Sequence, residues 1–236
     1  MHLPPRHAAL LAGALLITAA ITTAAPATAA AAPSGGAASA AFRAAAAPPP
    51  LLRQAVADLP VAAENRDGYK RTSFKHWVDA DGDGCTARYE VLKSEAIDAP
   101  TVGANCTLTG GSWYSYYDDV VVNDAAKLDV DHMVPLAEAW DSGASGWDAA
   151  RREAYANYLD AAEHLVAVTA RSNRSKADKD PADWLPIEAV RCRYITEWTA
   201  IKRHWGLSAD QREKDTLTSI AAACPNAPLP TPPAQP

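Results

Sequence analysis

The sequence predicts one α+β domain with much helix and two disulfides. Three observations carry this. Trp113 to Tyr117 and Val120 to Val122 are short aromatic or β-branched runs, Leu128 to Val134 alternates apolar and polar side chains, and His164 to Thr169 is a short apolar run, all patterns of strands. Ile187 to Trp205 and Ser208 to Cys224 space their apolar residues as amphipathic helices. All four cysteines, Cys85, Cys106, Cys192 and Cys224, fall in the same stretch of chain.

The 236 residues divide by composition. Residues 1–29 carry Arg6 and His7, an apolar run from Ala8 to Ile21 and the small residues Ala27-Thr28-Ala29, the pattern of a secretory signal peptide. The run is short and diluted by Ala and Thr, against the ~20 apolar residues of a membrane span. Residues 30–50 are nearly all Ala, Pro, Gly and Ser and are expected to be a flexible linker. Residues 51–224 form the domain, and 225–236 a frayed, Pro-rich tail. Within the domain, Leu51 to Leu59 has helical spacing and stops at Pro60, and Asp79 to Gly84 is a turn. Residues 113–122 make a hairpin or paired strands across Asp118-Asp119. Pro135 opens a short helix through Trp140, and Asp148 starts another that runs to Leu159. Asn173 to Lys179 is a polar turn or helix.

An even cysteine count behind an export signal argues for disulfides. Short loops favour Cys85–Cys106 and Cys192–Cys224 among the three pairings. A four-cysteine zinc site is the alternative, but no Cys-x-x-Cys spacing occurs. The formal charge is −6, and nearer −8 once Arg6 and Arg43 are removed, which excludes a protein that coats nucleic acid by bulk charge. Contact with nucleic acid then needs a local basic patch.

The chemistry concentrates in Asp131-His132-Met133-Val134-Pro135-Leu136 and, further on, Asn173-Arg174-Ser175-Lys176. Phosphodiester hydrolysis needs a neutral imidazole to take a proton from water, a divalent cation to offset charge, and oxygen ligands to hold that cation. His132 is the candidate base, and Asp131 and Asn173 are the candidate ligands. Neighbours on a regular strand point to opposite faces, so a strand end or bulge is needed to bring Asp131 and His132 to one site. Lys176 lies one turn beyond Asn173, placed for a phosphate.

These residues resemble the HNH endonuclease superfamily, the ββα-metal finger. More closely, they resemble secreted bacterial HNH-family proteins. The resemblance extends over about 65–224, through Ala139-Trp140, Ser142-Gly143-Ala144, Asp180-Pro181 and Trp184-Leu185-Pro186 in that order. It implies a ββα-metal core with added helices and a small hairpin. It also implies His132 as general base, and Asp131 and Asn173 as metal ligands. The middle position of the triad, nine residues before Asn173, is His164 instead of the usual Asn. His164 is thus a catalytic candidate, with Asn157 a second for that position and a structural hydrogen-bonded histidine the plain alternative. Arg174, Lys176 and Arg88 are the candidate phosphate contacts. Arg171 and Lys179 cluster with them, and Arg151, Arg152, Arg191 and Arg193 either add to them or pair with acids such as Glu153 and Glu188. The tryptophans of the helical stretches read as core.

Asp79, Asp81, Asp83 and Glu90 match the spacing of a calcium loop with Gly84 at its sixth position, although Cys85 interrupts it. A plain acidic turn is the alternative. The reading is a secreted, monomeric endonuclease with no stable membrane association. It would cut nucleic acid, DNA first and RNA as the alternative, with little sequence specificity, using Mg2+ or Mn2+, with Zn2+ as the alternative and a structural Ca2+ if the acidic loop holds one. Its rivals are a non-catalytic secreted binding protein that keeps the fold and a hydrolase of another phosphoester.

Overall fold

The computed structural model describes residues 48–230; the expected signal peptide and most of the linker lie outside the described residues. Seven α-helices and six short strands follow one another: α1 (Leu52–Ala57), α2 (Ala87–Ser94), β1 (Thr101–Val102), β2 (Leu108–Thr109), β3 (Trp113–Ser115), β4 (Val120–Val122), β5 (Leu128–His132), α3 (Leu136–Asp141), α4 (Ala149–Ala156), β6 (Leu165–Thr169), α5 (Ala170–Lys176), α6 (Arg191–Trp205) and α7 (Gln211–Ala223). The strands make three separate two-stranded antiparallel ribbons: β1–β2, β3–β4 and β5–β6. The expected α+β class therefore holds, with mixed helices and small sheets.

The β5–β6 ribbon positions the site. Its register runs from Leu128 opposite Thr169 to His132 opposite Leu165. Leu128, Val130, Leu165 and Ala167 pack with Trp113, Val91 and Leu92, so one face buries against α2 and β3. Val166 and Val168 face the larger core, with Tyr194, Trp198 and Trp205 of α6. Trp198 and Trp205 are fully buried, as core residues should be. Helix α5 follows β6 directly. Thr169 caps it by accepting from the Ser172 N–H at 3.2 Å. The helix thus begins at Ala170, three residues before the expected start, and Asn173 lies in its middle.

Both disulfides have the expected pairing, Cys85–Cys106 and Cys192–Cys224, and the second fastens α6 to the end of α7. A buried cation joins the helices beneath. Lys202 Nζ donates to Glu138 Oε1 at 2.8 Å, to Ser142 Oγ at 3.0 Å and to Glu213, so α3, α6 and α7 share one charge centre. Burial with too few cations pushes Glu213 up to about 7.

One expectation needs correction. The tail does not fray at Cys224. Leu52 N donates to Ala227 O at 2.9 Å, Leu229 N donates to Pro50 O at 3.0 Å, and Leu229 is buried. The domain edge therefore extends to at least Pro50 and Leu229, because each segment satisfies the other's backbone. The acidic turn at Asp79–Gly84 is followed by α2, a helix for which the sequence held no expectation, and it contains Arg88 and Glu90. Among the described residues no helix is long and apolar enough to cross a membrane.

Candidate functional site

The two-residue period of β5 holds. Asp129 and Asp131 lie opposite Val168 and Val166, while His132 lies with Leu128 and Val130 on the other face. No bulge is needed to bring Asp131 and His132 together. A cavity of about 340 Å³ is lined by Val130, Asp131, His132, Pro135, Asn173 and Arg174, among others, along the edge of β5 that β6 leaves unpaired. A second cavity of about 220 Å³ adjoins it, lined by Arg71, Trp77, Arg88, Asp129, Val130 and Asn173. The structure thus brings together His132, Asp131, Asn173, Arg174 and Arg88.

His132 is buried, and its Nε2 lies 2.9 Å from Ala156 O. A carbonyl only accepts, so Nε2 carries the hydrogen and Nδ1 keeps the lone pair. Burial lowers the His132 pKa well below its ordinary value, and the hydrogen bond to Ala156 opposes this only in part. The ring is therefore neutral and has a basic nitrogen available.

Asp131 is also buried. Its Oδ2 accepts from Tyr117 Oη at 2.7 Å and from Lys176 Nζ at 2.7 Å. Burial pushes its carboxyl up, while the Lys176 ammonium and the Tyr117 hydroxyl hold it back. Lys176 Nζ also donates to His132 O at 2.9 Å, so one lysine fixes both residues of the Asp-His pair. Lys176 as a phosphate contact is accordingly a correction. It is 0 % exposed and spent on Asp131 and the His132 carbonyl, so it faces inward.

His164 needs the same treatment. It is 1 % exposed and lines neither cavity. Its Nε2 donates to Tyr155 O at 2.7 Å, one residue before the carbonyl that holds His132. His164 is therefore a positioning residue for that turn. Asn157 acts on the same turn: its Oδ1 accepts from Val78 N at 2.8 Å, and its Nδ2 donates to Lys75 O at 2.8 Å.

Asp129 was not singled out in the sequence, although its place two residues before Asp131 on the same strand face was the available signal. Its Oδ2 accepts from Asn173 Nδ2 at 3.1 Å and pairs with Arg174 Nε at 3.4 Å. That leaves the Asn173 amide oxygen free of Asp129. Arg71 and Trp77 also line the site without any local motif to announce them. Arg88 Nη2 donates to Leu128 O at 3.0 Å. The outlying arginines serve the fold: Arg151 donates to Trp205 O, Arg152 to Ser73 O and Arg191 to Pro186 O, and Arg193 pairs with a local acid, Glu197.

In the acidic turn, ligand oxygens of Asp79, Asp81 and Asp83 lie within 4.8 Å of one another. Each Asp accepts a loop N–H: Gly82 and Gly84 donate to Asp79, Asp83 to Asp81 and Cys85 to Asp83. Glu90 pairs with Lys93 at 2.7 Å.

Known proteins resemble this chain over the same region. The family model of the C-terminal domain of GmrSD restriction endonucleases matches residues 98–220, which include Asp131, His132, His164 and Asn173. An uncharacterized secreted protein of Arthroderma benhamiae is 38% identical over 160 residues, 67% of this chain and 77% of the relative. That relative is fungal, whereas the motifs suggested bacterial proteins. No solved structure matches. An extracellular location agrees with the secreted relative and with both disulfides.

Proposed function

The chain belongs to the family of the GmrSD restriction endonuclease C-terminal domain, and from that premise we propose that it is a secreted HNH-type endonuclease that hydrolyses phosphodiester bonds of nucleic acid, DNA foremost, with little sequence specificity. The observation that carries the reading is the state of His132. A buried neutral imidazole, with Nε2 tied to Ala156 O and Nδ1 left basic, lines a cavity beside two oxygen-bearing side chains. His132 takes a proton from water at Nδ1. The water oxygen bonds to phosphorus while the bond to the departing sugar oxygen breaks, and that oxygen leaves with a proton drawn from solvent.

The donor set fits a hard divalent cation. Asp131 keeps Oδ1, because its recorded hydrogen bonds use Oδ2, and Asn173 contributes its amide oxygen. Asp129 adds a second carboxylate at the rim. Such a set suits Mg2+ or Mn2+, which keep several waters and take one or two carboxylates, better than Zn2+, which prefers nitrogen and sulfur. A bound cation would offset charge on the phosphate and on the departing oxygen. The ββα order of β5, β6 and α5 supports the HNH type.

The assay is degradation of plasmid DNA and of RNA by the purified protein with Mg2+ or Mn2+, with and without EDTA. Cutting that EDTA stops supports the reading. No cutting with either ion, or cutting unaffected by EDTA, refutes it.

A further inference from the structure

We infer that Arg71 holds a backbone phosphate of the substrate where the two cavities meet, and that the second cavity seats the neighbouring nucleotide with its base against Trp77. The inference rests on the nucleic-acid reading above and gives that site a second subsite.

The geometry comes first. Arg71, Val130 and Asn173 line both cavities, so a strand passing from the His132 side to the Trp77 side must pass Arg71. The charges follow. Lys176 is consumed by Asp131, Arg174 pairs with Asp129, and Arg88 donates to Leu128 O. Arg71 is exposed and lies near the Tyr69 hydroxyl; Asp178 lines the same cavity but pairs with Arg66, and among the described residues no ion pair joins Arg71 to a carboxylate. Arg71 and His132 line the same cavity. A guanidinium without an ion pair among the described residues, lining both cavities, is suited to grip a phosphate through two N–H groups.

Trp77 supplies the second observation. Its ring centroid lies 5.3 Å from that of His132, tilted by 36°. Its φ is +60°, a left-handed backbone that is strained for a bulky residue. The strain is held from both sides, because Asn157 accepts from Val78 N and donates to Lys75 O. The same turn carries Ala156, which orients His132. The half-buried indole therefore forms a fixed wall of the second cavity, and stacking on an aromatic face is tolerant of base identity. Residues 71–88 precede the matched region 98–220, so this wall comes from the part of the domain that the family model does not include.

Steady-state cleavage and salt-dependent binding of a labelled single-stranded oligonucleotide test this, with binding read in a His132→Ala background. Arg71→Ala is expected to raise KM about tenfold with a smaller change in kcat. It should also lower the slope of log affinity against log salt by about 0.7, the loss of one phosphate contact on a single strand. Arg71→Lys should restore the slope. Trp77→Ala is expected to weaken binding about tenfold with the slope unchanged, and Trp77→Phe to recover most of it. If the wild type cuts while Arg71→Ala keeps both KM and salt slope, this inference fails and the nuclease reading stands. If the wild type neither binds nor cuts, the nuclease reading fails and takes the inference with it. If Trp77→Ala does not fold, the Arg71 pair decides, because that side chain is exposed.

Discussion

Replacing Lys176 with methionine tests how the Asp-His pair is held. At 2.7 Å and an effective dielectric of about 20, the Lys176–Asp131 attraction is roughly 6 kcal/mol. Desolvation of two buried ions offsets most of it, so the intact pair contributes little net stability. Removing one partner is different. Asp131 is then left buried with only Tyr117 to satisfy it, and the His132 carbonyl loses its donor. The expected loss is about 3–5 kcal/mol. For a chain of this size, at roughly 2–4 °C per kcal/mol, the melting temperature should fall by about 10 °C. Urea unfolding of the wild type, Lys176→Met, Asp131→Asn and the double variant gives the cycle. The double variant should recover most of the loss, since the amide introduced by Asp131→Asn carries no charge and its oxygen can still accept from Tyr117. A loss below about 1 kcal/mol in Lys176→Met, or a double variant as unstable as the sum of the singles, would refute the reasoning.

Three further outcomes follow from the same structure. Glu95 accepts from Ala167 N at 2.8 Å, and burial pushes it from 4.5 up to about 7. The folded state therefore binds the extra proton, and the stability tied to it is lost as pH rises from about 4.5 through 7. Glu95→Gln should raise stability above pH 7 by up to about 3 kcal/mol and leave it unchanged near pH 4.5, which thermal melts at the two pH values measure. Opening Cys192–Cys224, which closes a 32-residue separation, by double alanine substitution should cost about 3–4 kcal/mol in urea unfolding. Asp129→Asn should raise the Mg2+ or Mn2+ concentration for half-maximal cleavage by about tenfold, read by metal titration; an unchanged midpoint would remove Asp129 from the metal site.

Much of the frame around the site was legible in the sequence because its signals are local. Alternation marked β5, the apolar run marked β6, and the Asp148 cap marked α4, where its side chain accepts from Arg151 N. What escaped depends on distance along the chain. Helix α2 reads as ARYEVLKS, with three buried residues among charges, and sits behind an acidic turn that drew the calcium reading. Lys176 has the residue type and spacing of a phosphate contact; only packing against Asp131 turns it inward. His164 occupies the position the family motif assigns to the site, yet its ring is buried among Tyr155, Tyr158 and Trp205, edge-on to His132 and bonded to the turn beneath it. Arg71 and Trp77 reach the site from sixty or so residues upstream, by a fold that no local pattern encodes.

In the proposed reaction His132 takes the proton from the attacking water. Single-turnover cleavage of DNA by His132→Ala, in saturating Mg2+ or Mn2+ and with the fold checked by circular dichroism, addresses this step most directly. The cleavage rate is expected to fall at least a hundredfold below wild type, with oligonucleotide binding retained, given that general-base catalysis contributes about 10²–10⁴ in rate. Cleavage at the wild-type rate by the folded variant would contradict it.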